Sequence, residues 1–162
     1  MPNFCNNYVI ITGNPERLKV LADAAENSEL FKAIKHYEEW SYTEFVETYG
    51  TKWELGIDDV DLDGNTLTLM FESAWAPPID AYNLLLAEDD IENVHATYSE
   101  HGMDFCGVYD NGNDIEMCMS ELAAKVVDKM PLDEEERIVY DHLEGEIGFL
   151  IEWMAEEADE EE

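Results

Sequence analysis

An alternating acidic run, Asp59-Val60-Asp61-Leu62-Asp63-Gly64, is the densest set of side chains with possible chemistry. Carboxylates at every second position before a glycine are typical of the first half of a calcium-binding loop. Such a loop needs a bidentate glutamate at its twelfth position, and that position holds Met70. We therefore favour an acidic hairpin turn over a calcium site. The run Asp110-Asn111-Gly112-Asn113-Asp114 receives the same interpretation.

A second candidate site combines His101, Asp104 and Cys106, which could form a nucleophile pair of the Cys/His type. The segment lies at a turn that leads into a strand, so a structural role is the preferred interpretation. Neither zinc-ligand spacing, a disulfide framework, nor the glycine motifs of hydrolases and nucleotide-binding proteins occur. We predict a protein that is not an enzyme and needs no cofactor or metal. The dispersed ligand-type residues are His36, His95, His101 and His142, with Cys5, Cys106 and Cys118.

The most unusual property of the composition is its net charge. Forty acidic residues oppose eight basic ones, which gives a formal net charge of −32. Solubility of a small domain is served by a net charge of about 2–8, and a larger excess repels itself. A basic partner, a high-salt environment or cation binding could each favour the excess. We do not expect direct contact with nucleic acid, because phosphate binding depends on lysine and arginine.

The chain has enough hydrophobic residues, 46%, to build a core, so its acidity does not predict disorder. A length of 162 residues suits one domain with an appendage. The N-terminal residues lack the pattern of a signal peptide, and no apolar run approaches the roughly 18 residues of a membrane span. We expect a soluble, cytoplasmic protein.

Local signals place the elements that would position these residues. Asn7–Thr12 is a β-branched run, and Asn14 before Pro15 is typical of a helix start. Ser41–Tyr49 is predicted to be a helix that Gly50 ends. Trp53–Val60 and Thr66–Phe71 are predicted strands joined by a turn over 61–65. Further elements follow as a helix over 79–87 and strands over 94–99, 104–110 and 114–119. The order predicts an α+β fold: a ferredoxin-like split βαβ sandwich with a mainly antiparallel sheet.

The C-terminal part has a different pattern. Ser120 is the predicted cap of one helix, and a single long amphipathic helix is predicted from Leu132 onward. Its apolar positions recur at helical spacing and either dock on the open sheet face or pair with a second copy as a homodimer. These positions are Val139, Leu143, Ile147, Leu150 and Met154.

Four segments, in order, resemble the YubB-type ferredoxin-like proteins of bacteriophages and plasmids over about residues 1–119. They are the opening MPNFCNN followed by IITG at 10–13, ETYGTKW at 47–53, FESAWAPP at 71–78 and YSEHGMDFCG at 98–107.

The chain departs from this family pattern at three positions. Phe4 and Tyr49 stand where the family usually has tryptophan, and Ala76 stands where serine is common. The resemblance implies a ferredoxin-like domain over 1–119 and a mobile-element setting. It does not extend to the acidic helical extension over 120–162. It implies no iron–sulfur cluster, since three scattered cysteines cannot supply four ligands.

We predict a phage or mobile-element accessory protein that acts as a stoichiometric inhibitor. Its acidic surface would imitate nucleic acid and block a basic host defence or DNA-processing protein in the host cytoplasm. The predicted contact carboxylates lie in the C-terminal helix, with the acidic hairpin second: Glu134, Glu135, Glu136, Asp141, Glu144, Glu152, Glu156 and Glu157, then Asp58, Asp59, Asp61 and Asp63.

The alternative is a protein-binding or oligomerisation module in which the acidity serves solubility or high-salt adaptation. Recognition would then use a Trp-Ala-Pro-Pro corner, which could instead simply pack where a helix meets the sheet, or the apolar face of the C-terminal helix. The residues of this alternative are Trp53, Trp75, Pro77, Pro78, Leu143 and Leu150.

Overall fold

The computed structural model describes residues 3–160 and contains one antiparallel sheet. The strand order is β2-β3-β1-β4-β5-β6, and each neighbouring pair is antiparallel. The α+β class and the antiparallel sheet predicted from the sequence are confirmed. The strands are β1 (Phe4–Gly13), β2 (Gly56–Asp63), β3 (Thr66–Ala74), β4 (Ile91–Glu100), β5 (Phe105–Asp110) and β6 (Asn113–Cys118).

Seven helices within the described range surround this sheet. Three follow β1, one lies between β3 and β4, and three follow β6. They are α1 (Pro15–Glu26), α2 (Leu30–Ile34), α3 (Tyr42–Tyr49), α4 (Ile79–Leu86), α5 (Met119–Val127), α6 (Glu134–His142) and α7 (Glu144–Glu160).

Local capping chemistry sets two helix ends as predicted. The Asn14 side chain accepts hydrogen bonds from the backbone N–H groups of Glu16 and Arg17, at 2.9 and 3.2 Å, which begins α1. Gly50 ends α3 with φ +88°, a left-handed conformation that glycine adopts without steric cost. Both signals are local, so the sequence alone was sufficient to predict them.

The β2–β3 hairpin is tighter than predicted. Its strands pair from Gly56 to Asp63, and the loop is only Gly64 and Asn65. Asp61 therefore lies in a strand, opposite Thr68, and not in a turn. The physical reason is that a two-residue loop with φ +60° at Gly64 matches the twist of the paired strands.

The two faces of the sheet are covered unequally. Helices α1–α4 pack on the first face, where a continuous apolar core includes Val9, Leu69 and Val94 from the strands. On the second face, α5–α7 form a smaller apolar cluster with Val108 and Ile115 of β5 and β6. The outward side chains of β1, β2 and β3 lie on this second face, beyond that cluster.

The predicted single C-terminal helix is wrong. It is divided into α6 and α7 at Leu143, whose φ and ψ are −122° and 25°. Helix α6 contacts the strands β5 and β6, whereas α7 packs mainly along α5. The change of direction lets Val139 and Ile147 reach the same cluster from two helices. Of the two alternatives for the apolar stripe, docking on the sheet side is the arrangement observed.

Candidate binding surfaces

The acidic residues of the hairpin lie in a column on the edge strand β2. Asp59, Asp61 and Asp63 alternate with Val60 and Leu62, which pack against the first core. Alternate residues of a strand point to one face and repeat at about 6.6–6.8 Å. All three aspartates are exposed, and Asp58 is exposed at the irregularity between Ile57 and Asp59. The strand therefore presents a linear acidic edge.

A second acidic surface follows α6 and α7. Glu134 and Glu135 lie in the first turn of α6, where carboxylates interact favourably with the positive end of the helix dipole. The predicted carboxylates farther along are also exposed, which leaves them accessible to a partner. They are Asp141, Glu144, Glu152, Glu156 and Glu157.

Glu136 differs from the other predicted contact residues because it serves the fold. One of its carboxylate oxygens lies 2.7 Å from Nζ of Lys125 in α5. The other accepts a hydrogen bond from the backbone N–H of Asp133, completing a capping box. The Lys125 ammonium lowers the pKa of Glu136 below its usual value. This carboxylate is therefore already engaged within the C-terminal helices.

The acidic side chains do not converge in the way that a metal site requires. Among residues 3–160, no group of three or more His, Cys, Asp or Glu side chains is arranged to hold a metal ion. The column geometry of β2 explains this for the hairpin, because a calcium loop must wrap its oxygens around one point. Asp59, Asp61 and Asp63 instead lie in line along a paired strand.

The candidate Cys/His pair is replaced by a capping arrangement. The Asp104 carboxylate accepts from the backbone N–H of Ser120 at 2.9 Å, from the Ser120 hydroxyl, and from the Cys118 thiol at 3.2 Å. Burial raises the pKa of Cys106 to about 12, which keeps its thiol protonated.

The predicted cap at Ser120 is also wrong. Helix α5 begins at Met119, and its first turn is capped from the β4–β5 loop.

The tertiary structure brings together two histidines that are far apart in the sequence. The rings of His95 in β4 and His142 in α6 lie 5.2 Å apart between centroids. Nδ1 of His95 is 3.5 Å from Asp110, and Nδ1 of His142 lies 2.7 Å from the carbonyl oxygen of Ile138. No spacing signal in the chain could have indicated this pair, because it depends on where α6 docks.

The tryptophan-proline corner forms a shallow apolar groove. Trp75 is 45% exposed, and its φ of +72° is in the left-handed region that bulky residues rarely adopt. Tyr42 and Val46 of α3 are also exposed and line the same groove of about 270 Å³. Pro77 and Pro78 are buried beneath this corner. They can shape the groove, but their side chains are not available to a partner.

The remaining residues of the alternative site are less accessible. Trp53 is half-buried, with Nζ of Lys52 4.7 Å from its ring centroid. Leu143 is buried in the second cluster, and Leu150 packs against that cluster. A partner that bound the apolar face of α7 would therefore meet different side chains. Phe149 and Trp153 are 67% and 48% exposed.

None of the helices in residues 3–160 combines the length and apolar character needed to cross a membrane. Comparisons with protein-family models, curated proteins and solved structures yield no match to this chain.

Proposed function

We propose that this chain is a non-catalytic binding protein whose acidic surface occupies the basic, nucleic-acid-binding cleft of a partner protein. The observation that carries the proposal is the exposure of two carboxylate arrays, along β2 and along α6–α7, in a chain of net charge −32. Within the described residues, few lysines or arginines neutralise these arrays. Of the predicted carboxylates, only Glu136 takes part in an ion pair there.

Charge spacing supports imitation of nucleic acid. One strand of B-DNA carries a charge about every 3.4 Å along the axis. The β2 column repeats at about 6.6–6.8 Å, roughly half that density. The α6–α7 array adds further carboxylates, although the bend at Leu143 divides it into two segments. Such a surface favours fast, salt-sensitive association with a basic partner.

The proposed setting is a phage or mobile genetic element, with the partner a host defence or DNA-processing protein in the host cytoplasm. The four motifs that resemble the YubB-type family support this setting. The proposed topology of residues 1–119 is the ferredoxin-like split βαβ. The order β2-β3-β1-β4 and the crossovers through α1–α3 and α4 support it. The fold itself does not determine the target.

The test is capture from a host extract followed by displacement. Immobilised full-length protein should retain nucleic-acid-binding proteins at low salt and release them at about 0.5 M salt, where charges are strongly screened. Duplex DNA should also release them, because it would compete for the same cleft. Capture that survives salt and DNA would contradict the proposal.

A matched pair of variants locates the contact surface. The test variant neutralises six exposed carboxylates of α6 and α7, and it should lose capture. A control variant neutralises six exposed carboxylates elsewhere, with the same change in net charge, and should retain it. The test set is Glu134, Glu135, Asp141, Glu144, Glu156 and Glu157, each to its amide. The control set is Glu26, Glu29, Glu39, Glu47, Asp89 and Glu92.

A second candidate function is a protein-binding module that uses the Trp75 groove. The observation that favours it is an exposed aromatic ring held at φ +72° beside Tyr42 and Val46. Strained backbone at a surface aromatic is a reason to consider a binding role. Capture that persists in high salt and is lost in Trp75→Ala would support this function over mimicry.

The same module hypothesis includes a homodimer through the C-terminal helix. Its expected contacts are Phe149 and Trp153, since Leu143 is buried and Leu150 already packs internally. Phe149→Asp would dissociate such a dimer in sedimentation without unfolding the chain. Leu150→Asp would instead reduce the free energy of unfolding.

A further inference from the structure

The second face of the sheet carries an uncovered apolar patch at its centre. Tyr8 of β1 and Met70 of β3 are directly paired neighbours and are 41% and 45% exposed. Phe4, farther along the same face of β1, is 45% exposed. Helices α5–α7 shield β5 and β6 but do not extend over these three side chains. Exposed apolar side chains rimmed by polar groups are a feature of interaction sites.

Carboxylates border this patch on three sides. Asp59 of β2 lies directly opposite Met70, and Glu72 is two residues along β3 on the same face. Glu146 of α7 lies across a crevice of about 80 Å³ that Tyr8 and Met70 also line. None of the ion pairs formed within residues 3–160 uses these three carboxylates. The patch is therefore an aromatic and thioether centre with an unneutralised acidic rim.

We infer that this face binds an arginine-rich basic segment of the partner protein. The inference rests on the proposed function and names the surface that gives it chemical selectivity. A guanidinium group stacks on an aromatic face and pairs bidentately with a carboxylate. Tyr8 supplies the ring, and Asp59 and Glu146 supply carboxylates on opposite sides of it. The aliphatic part of the arginine side chain covers Met70.

Arginine is favoured over lysine by this geometry. An ammonium group is a compact, strongly hydrated charge and cannot form a planar, two-pronged pair with a carboxylate. The exposed carboxylates of β2 and α6–α7 also pair with arginine. The part of the preference that belongs to the Tyr8 patch is therefore the part lost when the patch is changed.

The probe is a short fluorescein-labelled peptide of alternating arginine and serine, with a lysine-serine peptide of equal length and charge. Fluorescence anisotropy with the full chain at low salt should show the arginine peptide binding about fivefold more tightly, as expected for cation–π contacts at an exposed site. The double variant Tyr8→Thr, Met70→Thr should remove this preference and weaken arginine-peptide binding about fivefold. Threonine retains the β propensity of both positions.

One further variant is a control for the general loss of apolar surface, and another tests the acidic rim. Trp40→Thr with Met130→Thr removes an aromatic ring and a thioether at exposed positions away from the patch, 54% and 52% exposed, and should bind like the parent. Asp59→Asn with Glu146→Gln changes two exposed side chains of the rim and should also reduce the arginine preference. It tests the rim even if the Tyr8 and Met70 variant folds poorly.

The outcomes separate this inference from the proposed function. Equal binding of both peptides, or an unchanged preference in the Tyr8 and Met70 variant and the Asp59 and Glu146 variant, would overturn the inference. If the six-carboxylate variant of α6 and α7 then loses binding, the proposed function stands without it. If neither peptide binds the parent chain at low salt, both proposals are overturned.

Discussion

The Glu136 carboxylate lies 2.7 Å from the Lys125 ammonium nitrogen and joins the first turn of α6 to the last turn of α5. The same side chain completes the capping box with Asp133. A residue of the acidic surface thus holds two helices together. Glu134 and Glu135 of the acidic surface lie in the same first turn of α6.

Removal of the α6 cap should lower stability measurably. Asp133→Ala deletes the acceptor for the backbone N–H of Glu136, a 2.8 Å hydrogen bond. Loss of an N-cap costs about 1 kcal/mol, which is about 2–4 °C in Tm for a chain of this size. Glu135→Gln, an exposed neighbour, is the control in thermal unfolding followed by circular dichroism. Equal shifts in both variants would contradict the capping role.

The second apolar cluster should behave as a true core. Ile147 is fully buried in it, whereas Phe149, two residues later, is 67% exposed. Ile147→Ala should reduce the free energy of unfolding by about 2–5 kcal/mol, because it leaves a cavity. Phe149→Ala should change it by no more than about 0.5 kcal/mol. Urea unfolding measures both, and a similar loss in the two variants would show that α7 does not pack as described.

The buried thiols should resist modification in the native protein. Burial raises the pKa of Cys5 and of Cys106 to about 12. At about pH 8 the thiolate fraction, and with it the alkylation rate, should fall on the order of 10³-fold below that of a free cysteine. Cys118 is partly exposed and should be modified first. Mass spectrometry after timed alkylation gives the order in which the three cysteines react, and unfolding in urea should make their alkylation rates equal.

The protein should gain stability as the pH falls from neutral. Burial raises the pKa of Glu54 and Asp114, although hydrogen bonds partly oppose the shift. A native carboxyl with a raised pKa takes up its proton before the unfolded chain does, so the free energy of unfolding increases. Tm should therefore rise as the pH falls from neutral towards about 4.5, near the ordinary pKa of a carboxyl, assisted by reduced self-repulsion.

One variant isolates the Asp114 contribution to this pH dependence. The Asp114 carboxylate accepts a hydrogen bond from the Tyr98 hydroxyl at 2.6 Å. Asp114→Asn keeps an oxygen acceptor but cannot ionise, so its Tm should vary less with pH than that of the parent. An unchanged profile would assign the effect to general repulsion, which salt should suppress.

Replacement of Trp75 by glycine should relieve the backbone strain at this position. Its φ of +72° costs an L-residue about 1–2 kcal/mol, and glycine avoids that cost. Because glycine also loses more entropy on folding, we expect Trp75→Gly to change stability by less than about 1 kcal/mol. A loss of binding with stability retained would identify the ring as a contact residue. A large loss of stability would show that Trp75 packs for the fold.

Short-range signals explain what could be predicted. The Asn14 cap and the Gly50 stop depend on residues within one helical turn, and both are as predicted. The alternation of threonine and leucine over 66–69, continued to Met70, also places Thr66, Thr68 and Met70 on one face of β3. The pattern therefore indicates that Met70 lies on the polar, exposed face. Its pairing with Tyr8 depends on strand register between distant segments.

The sequence by itself determined the charge, the α+β class and the helix ends at Asn14 and Gly50, because each follows from composition or from neighbours along the chain. Tertiary structure decided the rest. Asp104 caps α5 from another loop, and the helix predicted from Leu132 bends at Leu143 to reach two packing partners. Whether a carboxylate such as Glu136 forms an ion pair or only faces solvent depends on which lysine or arginine the packing of the helices brings near it. No local pattern encodes the distance between Glu136 and Lys125.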